Sequence, residues 1–251
     1  QRKLRCLSKW FTRKTTDMKI AIVGLGGSYS DYIAARIRSE TYDETWGINC
    51  IGGIIEVDKT IMMDPVSRFL DTEDAGSQTG IAKEFLFKNT KPIITCELDN
   101  RVQHLEEYPL EEVIKEVNIC YFNNTEAYAI AYAIWCKATE ICLYGIDYNY
   151  KNVSIAESGR ACCEFWCAIA VSRGIKIEVA HTSGLLDTNV PDNERLYGYH
   201  RLKDPLVQTF TQEGLLITRQ SEMLPPEPLD VEPTLIGRHD LQKLNGKERY
   251  V

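Results

Sequence analysis

Met18–Ser30, MKIAIVGLGGSYS, is the stretch that decides the fold of this chain. Ile20, Ile22 and Val23 are apolar and β-branched, which is typical of a buried strand, and a cluster of glycines follows at once. A polar residue after the glycines can cap a helix that we expect to run to about Arg38. The candidate caps are Ser28, Ser30 and Asp31. Because the first-turn amides of a helix attract anions, the stretch predicts a phosphate site; the alternative is a turn that only joins strand to helix.

The spacing of the glycines limits the kind of nucleotide that this loop predicts. Gly24-x-Gly26-Gly27 lacks the third glycine of the dinucleotide fingerprint. No acidic residue ends a clean second strand at the expected distance. A dinucleotide site is therefore not predicted.

The composition is that of a globular protein. The 251 residues are 44% hydrophobic and 26% charged, and no run approaches the roughly eighteen apolar residues of a membrane span. Nothing resembles a signal peptide, so we expect a cytoplasmic protein without a membrane partner. The net charge of −7 argues against a surface that grips nucleic acid as a whole. The nine cysteines are an odd number and lie mostly in apolar segments, so we expect buried, reduced thiols.

The two ends of the chain differ from its middle. Residues 1–17 are basic and precede the first strand, so we expect a basic tail, upstream read-through or cloning remnant outside the fold. Residues 188–251 lose the periodic pattern and include a proline-rich stretch, 221–233. We expect an irregular extension that serves as a lid or as an arm for homo-oligomerisation.

Residues 18–187 alternate apolar strands with helical segments. Strands are predicted at 18–24, 45–48, 59–63, 92–96, 140–144 and 175–179, helices at 28–38, 81–87, 110–116, 126–136 and 156–173, and a lid-like loop at 67–80. Strands that alternate with helices through short turns form βαβ crossovers. The predicted fold class is therefore α/β, Rossmann-like, with a mainly parallel sheet, helices on both faces and an irregular C-terminal extension.

Polar residues and glycines follow the predicted strands, at the ends where parallel sheets bind ligands. These positions are Gly24–Ser28, Asn49, Asp64, Asn123–Thr125, Gly145–Tyr148 and His181–Ser183. Their convergence on one edge of the sheet, rather than any single motif, predicts a ligand-binding site there.

Three stretches of the second half carry a resemblance to a known family. They are 124–134 (NTEAYAIAYAI), 140–148 (EICLYGIDY) and 175–186 (IKIEVAHTSGLL). Together with Gly24–Ser28 they resemble bacterial sialyltransferases with a GT-A-like Rossmann fold, the related archaeal hydroxymethylpterin pyrophosphokinases and a set of phage proteins. The resemblance covers about residues 18–187.

The resemblance implies which residues contact a nucleotide-activated donor. They are Gly24, Gly26, Gly27, Ser28, Asn49, Asp64, Asn124, Thr125, Gly145, Asp147 and Tyr148. Asp64 stands where the family has asparagine, so its contact is expected to differ. The sialyltransferases carry a catalytic histidine after the element that corresponds to Gly145–Asp147 (GID), whereas residues 149–163 contain none. Another group must therefore act as the base.

Five residues are candidates for that base or for binding phosphate. Asp147 closes a buried strand and is either a base or a structural cap. Glu157 and Arg160 lie one turn apart and are either a catalytic and phosphate-binding pair or a surface ion pair. His181 ends a strand and is either a base or a hydrogen-bonded neighbour. Tyr150 is a further alternative for the base.

Two other clusters predict contacts to an acceptor or a metal. Aromatic residues among arginines can stack on and clamp a flat acceptor, although a solvated loop has the same composition. This cluster is Arg195, Tyr197, Tyr199, His200 and Arg201. Asp64 and Asp147 can together hold a divalent ion between donor phosphates.

The expected function is transfer of a sugar from a nucleotide-activated donor to an acceptor hydroxyl, as in glycosyltransferases. The donor is a substrate, and no tightly bound cofactor is expected. The phage resemblance extends the candidate acceptors to a modified nucleobase in phage DNA, with the host cytoplasm as the location. The alternatives are a nucleotide-binding protein without catalysis and a metal-dependent pyrophosphokinase-like diphosphotransferase.

Overall fold

The computed structural model describes residues 17–192, 194–199, 206–219 and 222. These residues form two compact units, divided between Pro191 and Asp192. Almost all of the basic tail and of the proline-rich stretch lies outside the described residues. The functions expected for the two ends of the chain stay predictions.

The first unit is built on a seven-stranded sheet in which every neighbouring pair of strands is parallel. Its strands are β1 (Lys19–Val23), β2 (Glu44–Ile48), β3 (Lys59–Met62), β4 (Ile93–Thr95), β5 (Leu105–Glu107), β6 (Glu140–Tyr144) and β7 (Lys176–Val179). The order across the sheet is β5-β4-β3-β2-β1-β6-β7. The predicted fold class is thus confirmed for this unit.

Helices cover both faces of the sheet. They are α1 (Tyr29–Ile37), α2 (Val66–Asp71), α3 (Ser77–Lys88), α4 (Leu110–Val117), α5 (Thr125–Trp135) and α6 (Val153–Ser172). The alternation of side chains along β1 shows the two faces directly. Ile20 and Ile22 pack in the core under α4, α5 and α6, whereas Ala21 and Val23 pack in the core under α1. All four side chains are fully buried.

Several elements differ from the sequence-based prediction. The expected loop at 67–80 contains α2 and the start of α3, because Val66 and Phe69 are spaced to bury one face of a short helix. Strand β5 was missed because its three residues include two exposed glutamates and show no apolar alternation. Helix α6 begins at Val153, ahead of the predicted start at residue 156, with Asn152 as its N-cap.

The second unit contains an antiparallel hairpin of β8 (Leu206–Thr211) and β9 (Gly214–Arg219). A two-residue connection joins the strands, and Gly214 has a φ of +127° that suits glycine. The expectation of an irregular extension is therefore wrong for these residues. Gly214 at the end of the connection was the turn signal in the sequence.

Two further expectations concern cysteines and membranes. The eight described cysteines are free, and Cys142, Cys162, Cys163 and Cys167 are buried as predicted. Cys96 and Cys120 are exposed, so the expectation of burial was wrong for them. Among the described residues, no helix has both the length and the apolar character needed to cross a bilayer.

Candidate functional site

The candidate site lies where the strand order reverses. From β1 the chain builds β2 to β5 on one side and then returns to place β6 and β7 on the other side of β1. In open parallel sheets a crevice forms at this point, outside the carboxyl ends of the strands. Here it is a cleft of about 910 Å³, which we call the switch-point cleft. Its lining includes Gly26, Asn49, Asp64, Arg68, Asn123, Asn124, Glu126, Gly145, Asp147, Tyr148 and Tyr150.

The glycine loop after β1 crosses the turn after β6 in direct contact. The amide of Gly26 donates to the carbonyl of Gly145 over 2.8 Å. A Cβ at Gly24 would lie 2.4 Å from that carbonyl oxygen, and Gly145 has a φ of +65°. Glycine is therefore required at both positions for backbone packing.

Asp147 joins the same two segments through Ser28. The Ser28 amide donates to Oδ2 of Asp147 over 2.8 Å, and the Ser28 hydroxyl donates to Oδ1. The Gly145 amide in turn donates to the Ser28 hydroxyl oxygen over 2.8 Å. Ser28 occupies the N-cap position of α1, but its side chain makes no capping bond because the hydroxyl is committed to Asp147.

This arrangement bears on the phosphate site expected at the N-terminus of α1, which stays a prediction. The carboxylate of Asp147 already holds the position that an anion would take. The amides of Tyr29, Ser30 and Asp31 donate to carbonyl groups of the glycine loop and Ser28. The geometry favours the structural alternatives for Asp147 and for the glycine turn. Donor contacts by Gly24, Gly27 and Ser28 stay predictions.

Asn49 brings an unpaired polar atom to the cleft. It follows β2 directly and has a φ of +54°, a conformation that asparagine tolerates better than most residues. Its Oδ1 is buried and has no hydrogen-bond partner among the described residues. A buried acceptor without a partner is costly unless a ligand satisfies it.

Arg68 supplies a cation to the cleft. Its guanidinium donates to Asp64 over 2.5 Å and to Asp74 over 3.1 Å. The hydrogen bonds that Arg68 donates to Asp74 and Asp64 raise the pKa of Arg68 further above its ordinary value. Arg68 was not predicted as a site residue because it lies in the stretch 67–80, which was expected to be a loop. The i,i+4 spacing between Asp64 and Arg68 was the available signal.

Glu126 places a half-buried carboxyl in the cleft, in the first turn of α5. Burial raises its pKa above the ordinary value, and repulsion from Asp64 adds to the effect. Among the described residues no other side chain donates a hydrogen bond to this carboxyl. Glu126 was not predicted as a site residue because it was taken as the first residue of an apolar helix. The available signal was its position directly after Asn124 and Thr125, which were expected at the sheet edge.

Asn124 and Tyr148 line the cleft and contact α6, and the buried hydroxyl of Tyr148 has no hydrogen-bond partner among the described residues. Asn124 caps α5 by accepting from the Ala127 amide over 2.8 Å, and it donates to the Gly159 carbonyl over 2.9 Å. The Tyr148 ring lies so close to Gly159 that a Cβ there would be 2.7 Å from the ring. Burial raises the pKa of Tyr148 well above its ordinary range.

Tyr150 is the more accessible tyrosine of the cleft, and it is exposed. Partial burial raises its pKa, and the nearby carboxyl groups of Glu126 and Asp147 raise it further. A protonated phenol is a hydrogen-bond donor. Tyr150 is therefore suited to bind a ligand rather than to remove a proton from it.

Seven of the predicted donor and catalytic residues do not line the cleft: Gly24, Gly27 and Ser28, described above, and Thr125, Glu157, Arg160 and His181. Glu157 is exposed and pairs with Arg160 over 3.0 Å, which is the surface ion pair that the sequence left as an alternative. Arg160 also faces Asp187 at 3.4 Å. Thr125 is buried at the start of α5, and His181 is exposed beyond the end of the edge strand β7. The structure does not bring these residues together with Asn49 and Glu126.

The predicted aromatic clamp lies in the second unit, as far as it is described. Tyr197 and Tyr199 are exposed, and Arg195 pairs with Asp192. His200 and Arg201 lie outside the described residues. A contact to an acceptor by this cluster stays a prediction.

The two carboxylates predicted for a divalent ion are engaged separately, Asp64 by Arg68 and Asp147 by Ser28. Among the described residues, one group of acidic and thiol side chains has its ligand atoms close enough together to hold a metal ion. It consists of Glu140, Cys142 and Glu178, in β6 and β7. The ammonium group of Lys19 lies 2.7 Å from Glu140, and that of Lys176 pairs with Glu178, so two cations balance the two carboxylates of this cluster. A metal site on Asp64 and Asp147 stays a prediction.

Fold and cleft define the class: a Rossmann-like α/β protein with a polar cleft at the switch point of its sheet. No family model matches the chain, and no curated protein matches it. Among solved structures, it is similar to the sialyltransferase CstII from Campylobacter jejuni in complex with cytidine-5'-monophosphate, with 18% identity over 65% of this chain and 79% of that chain and a TM-score of 0.40. A CstII complex with CMP-3FNeuAc gives 17% identity over 67% and 82% and a TM-score of 0.42. At these values the likeness carries no functional argument.

Proposed function

We propose that this protein is a glycosyltransferase-like enzyme that binds a nucleotide-activated sugar in the switch-point cleft and transfers the sugar to an acceptor hydroxyl. The observation that carries the proposal is the composition of that cleft. An unpaired buried amide oxygen, a guanidinium and a half-buried carboxyl, from Asn49, Arg68 and Glu126, line one space of about 910 Å³. A space of this size fits a drug-sized ligand such as a nucleotide sugar.

Asn49 and Arg68 are suited to the two polar parts of such a donor. The Oδ1 of Asn49 accepts a hydrogen bond from an amino or hydroxyl group of the base or sugar. The guanidinium of Arg68 has a geometry that matches phosphate oxygens, and a donor phosphate would share it with Asp64 and Asp74. The charge that develops on the leaving phosphate would be stabilised by this cation.

Glu126 takes the role that the missing histidine leaves open. The ionised carboxyl accepts the proton of the acceptor hydroxyl as its oxygen bonds to the anomeric carbon. The bond from that carbon to the phosphate oxygen breaks, and the phosphate leaves with the electron pair. A base whose pKa is raised toward neutral is better matched to this proton transfer than an ordinary glutamate is.

The first test is ligand binding. A panel of nucleotides and nucleotide sugars is screened by thermal shift, and a nucleotide sugar is expected to raise the melting temperature. Asn49→Ala is expected to weaken the binding of that ligand about 5- to 100-fold, because the donor group of the ligand loses the oxygen that accepts its hydrogen bond. If no nucleotide or nucleotide sugar raises the melting temperature, the proposal is wrong.

Turnover then separates an enzyme from a binding protein. Slow hydrolysis of the stabilising sugar donor is expected to fall 10²- to 10⁴-fold in Glu126→Gln with little change in donor affinity. The matched control is Glu111→Gln, because Glu111 is the exposed second residue of α4 as Glu126 is the second of α5. Stabilisation without turnover would identify a binding protein, and a magnesium-dependent reaction of a nucleoside triphosphate would identify a diphosphotransferase.

A further inference from the structure

A second cleft of about 980 Å³ adjoins the switch-point cleft. The two share the lining residues Leu25, Asn49, Asp64, Arg68 and Gln78. Any group held at this shared border is therefore within reach of ligands in both clefts. In a transfer reaction, the reacting atoms of donor and acceptor must meet at such a border.

The second cleft is apolar where the first is polar. Its floor consists of buried side chains that include Met62, Phe69 and Phe85. Its walls include Ile54 and Ile81, which are 66% and 63% exposed. Exposed isoleucines on two separate segments that face one cleft indicate a surface that binds apolar groups.

The charges of the second cleft do not suit a polyanion. Its lining carries four acidic residues, Glu56, Asp64, Asp74 and Glu84, against three basic residues, Arg68, Lys88 and Lys91. Nucleic-acid binding depends on cations that neutralise phosphates. The lining thus argues against the nucleobase of phage DNA as the acceptor.

We propose that the second cleft is the acceptor site and that the acceptor carries its hydroxyl on an alkyl or aryl body. This inference rests on the proposed function. The apolar body lies over the floor of the cleft, and the hydroxyl reaches the border beside Asn49 and Arg68. Acceptors without an apolar body lack the main contact that the cleft offers.

Binding of two glycosides tests the inference without any need for turnover. The probes are octyl β-D-glucopyranoside, kept below its micelle-forming concentration, and methyl β-D-glucopyranoside, both measured by isothermal titration calorimetry. Each buried methylene is worth about fourfold in affinity, so the octyl compound is expected to bind at least tenfold more tightly. Equal binding of the two probes, or binding of neither, would overturn the inference.

Variants locate the octyl chain. Ile54→Asp combined with Ile81→Asp is expected to weaken octyl binding at least fivefold, since both side chains are exposed and their replacement does not disturb the core. The control is Ile37→Asp, at an isoleucine that is 78% exposed at the end of α1 and lines neither cleft. An equal loss in the control would show non-specific binding and overturn the inference.

A competition experiment distinguishes this inference from the proposed function. It uses the nucleotide that raises the melting temperature most in the thermal-shift screen. Saturation of the switch-point cleft with that nucleotide is expected to leave octyl binding within twofold. Competition between the two would place the base or sugar of the donor in the second cleft and overturn the acceptor assignment. Octyl binding without any nucleotide binding would contradict the proposed function and with it the acceptor role, but the apolar glycoside site in the second cleft would stand.

Discussion

Gly145 shows how a glycine motif can serve the backbone rather than a ligand. In sequence, the turn Gly145–Asp147 and the glycine loop after β1 both resemble a phosphate-binding loop. In the structure their backbones touch, and a Cβ on Gly145 would lie 2.3 Å from the carbonyl oxygen of Gly24. The contact joins residues more than a hundred positions apart, so spacing alone did not reveal it.

Gly145→Ala is expected to lower the free energy of unfolding by at least about 2 kcal/mol more than Gly174→Ala does. Both glycines have positive φ, +65° and +79°, so both alanine variants carry the same kind of backbone strain. Only Gly145 also meets other atoms, because nothing lies within 4 Å of a Cβ at Gly174. Urea unfolding of the two variants measures the difference, and equal losses would contradict the account of the crossing.

Glu126 is expected to make stability depend on pH. Its pKa is higher in the folded protein than in the unfolded chain because burial disfavours the charged form. The folded state therefore binds more protons between the two values, and the free energy of unfolding falls as the pH rises through them. Below the ordinary glutamate pKa the cost of burying the charge is absent.

Glu126→Gln removes this titration. The variant is expected to gain stability relative to the unchanged protein as the pH rises above the ordinary glutamate pKa, because only the unchanged protein must then bury a charged carboxylate. Urea unfolding at several pH values measures the gain, and Glu111→Gln serves as the exposed control. A difference between Glu126→Gln and the unchanged protein that stays constant with pH would show that the carboxyl is not desolvated.

Asn124 fixes the N-terminus of helix α5. The family resemblance implied that this residue contacts the donor, whereas its side chain caps α5 and holds the backbone of α6 at Gly159. An asparagine directly before an alanine-rich helix is a good N-cap, so its capping role was predictable from sequence. Its bond to α6 was not, because nothing in the sequence shows which turn of α6 lies opposite.

Substitutions at Asn124 are expected to separate these two bonds. Asn124→Ala loses the cap and the bond to α6 and should lower the free energy of unfolding by about 2 kcal/mol. Asn124→Asp keeps an acceptor for the Ala127 amide but cannot donate to Gly159, so an intermediate loss is expected. Asn152→Ala removes an exposed cap with a single bond of 3.2 Å and should cost about 1 kcal/mol or less. Chemical denaturation ranks the three, and a larger loss in Asn152→Ala would contradict the account.

At the scale of the molecule, the sequence predicted the sheet better than the site. Alternating apolar strands and helices dictate a parallel sheet, and the turns after β1, β2 and β6 were placed correctly because glycine and polar residues end the apolar runs. The residues that line the cleft also depend on how each helix is rotated about its axis. Arg68 and Glu126 enter the cleft for that reason, while Glu157 and Arg160 face away.

Strand β1 lies inside the sheet between β2 and β6, and its Lys19 is paired with Glu140, about 120 residues later in the chain. During synthesis, the edge of β1 that β6 will cover therefore stays unpaired until most of the first unit has been translated. At 5 to 20 residues per second this delay is roughly 6 to 24 s. An apolar strand with one open edge can pair with other chains, so this edge of β1 is exposed to aggregation until β6 leaves the ribosome.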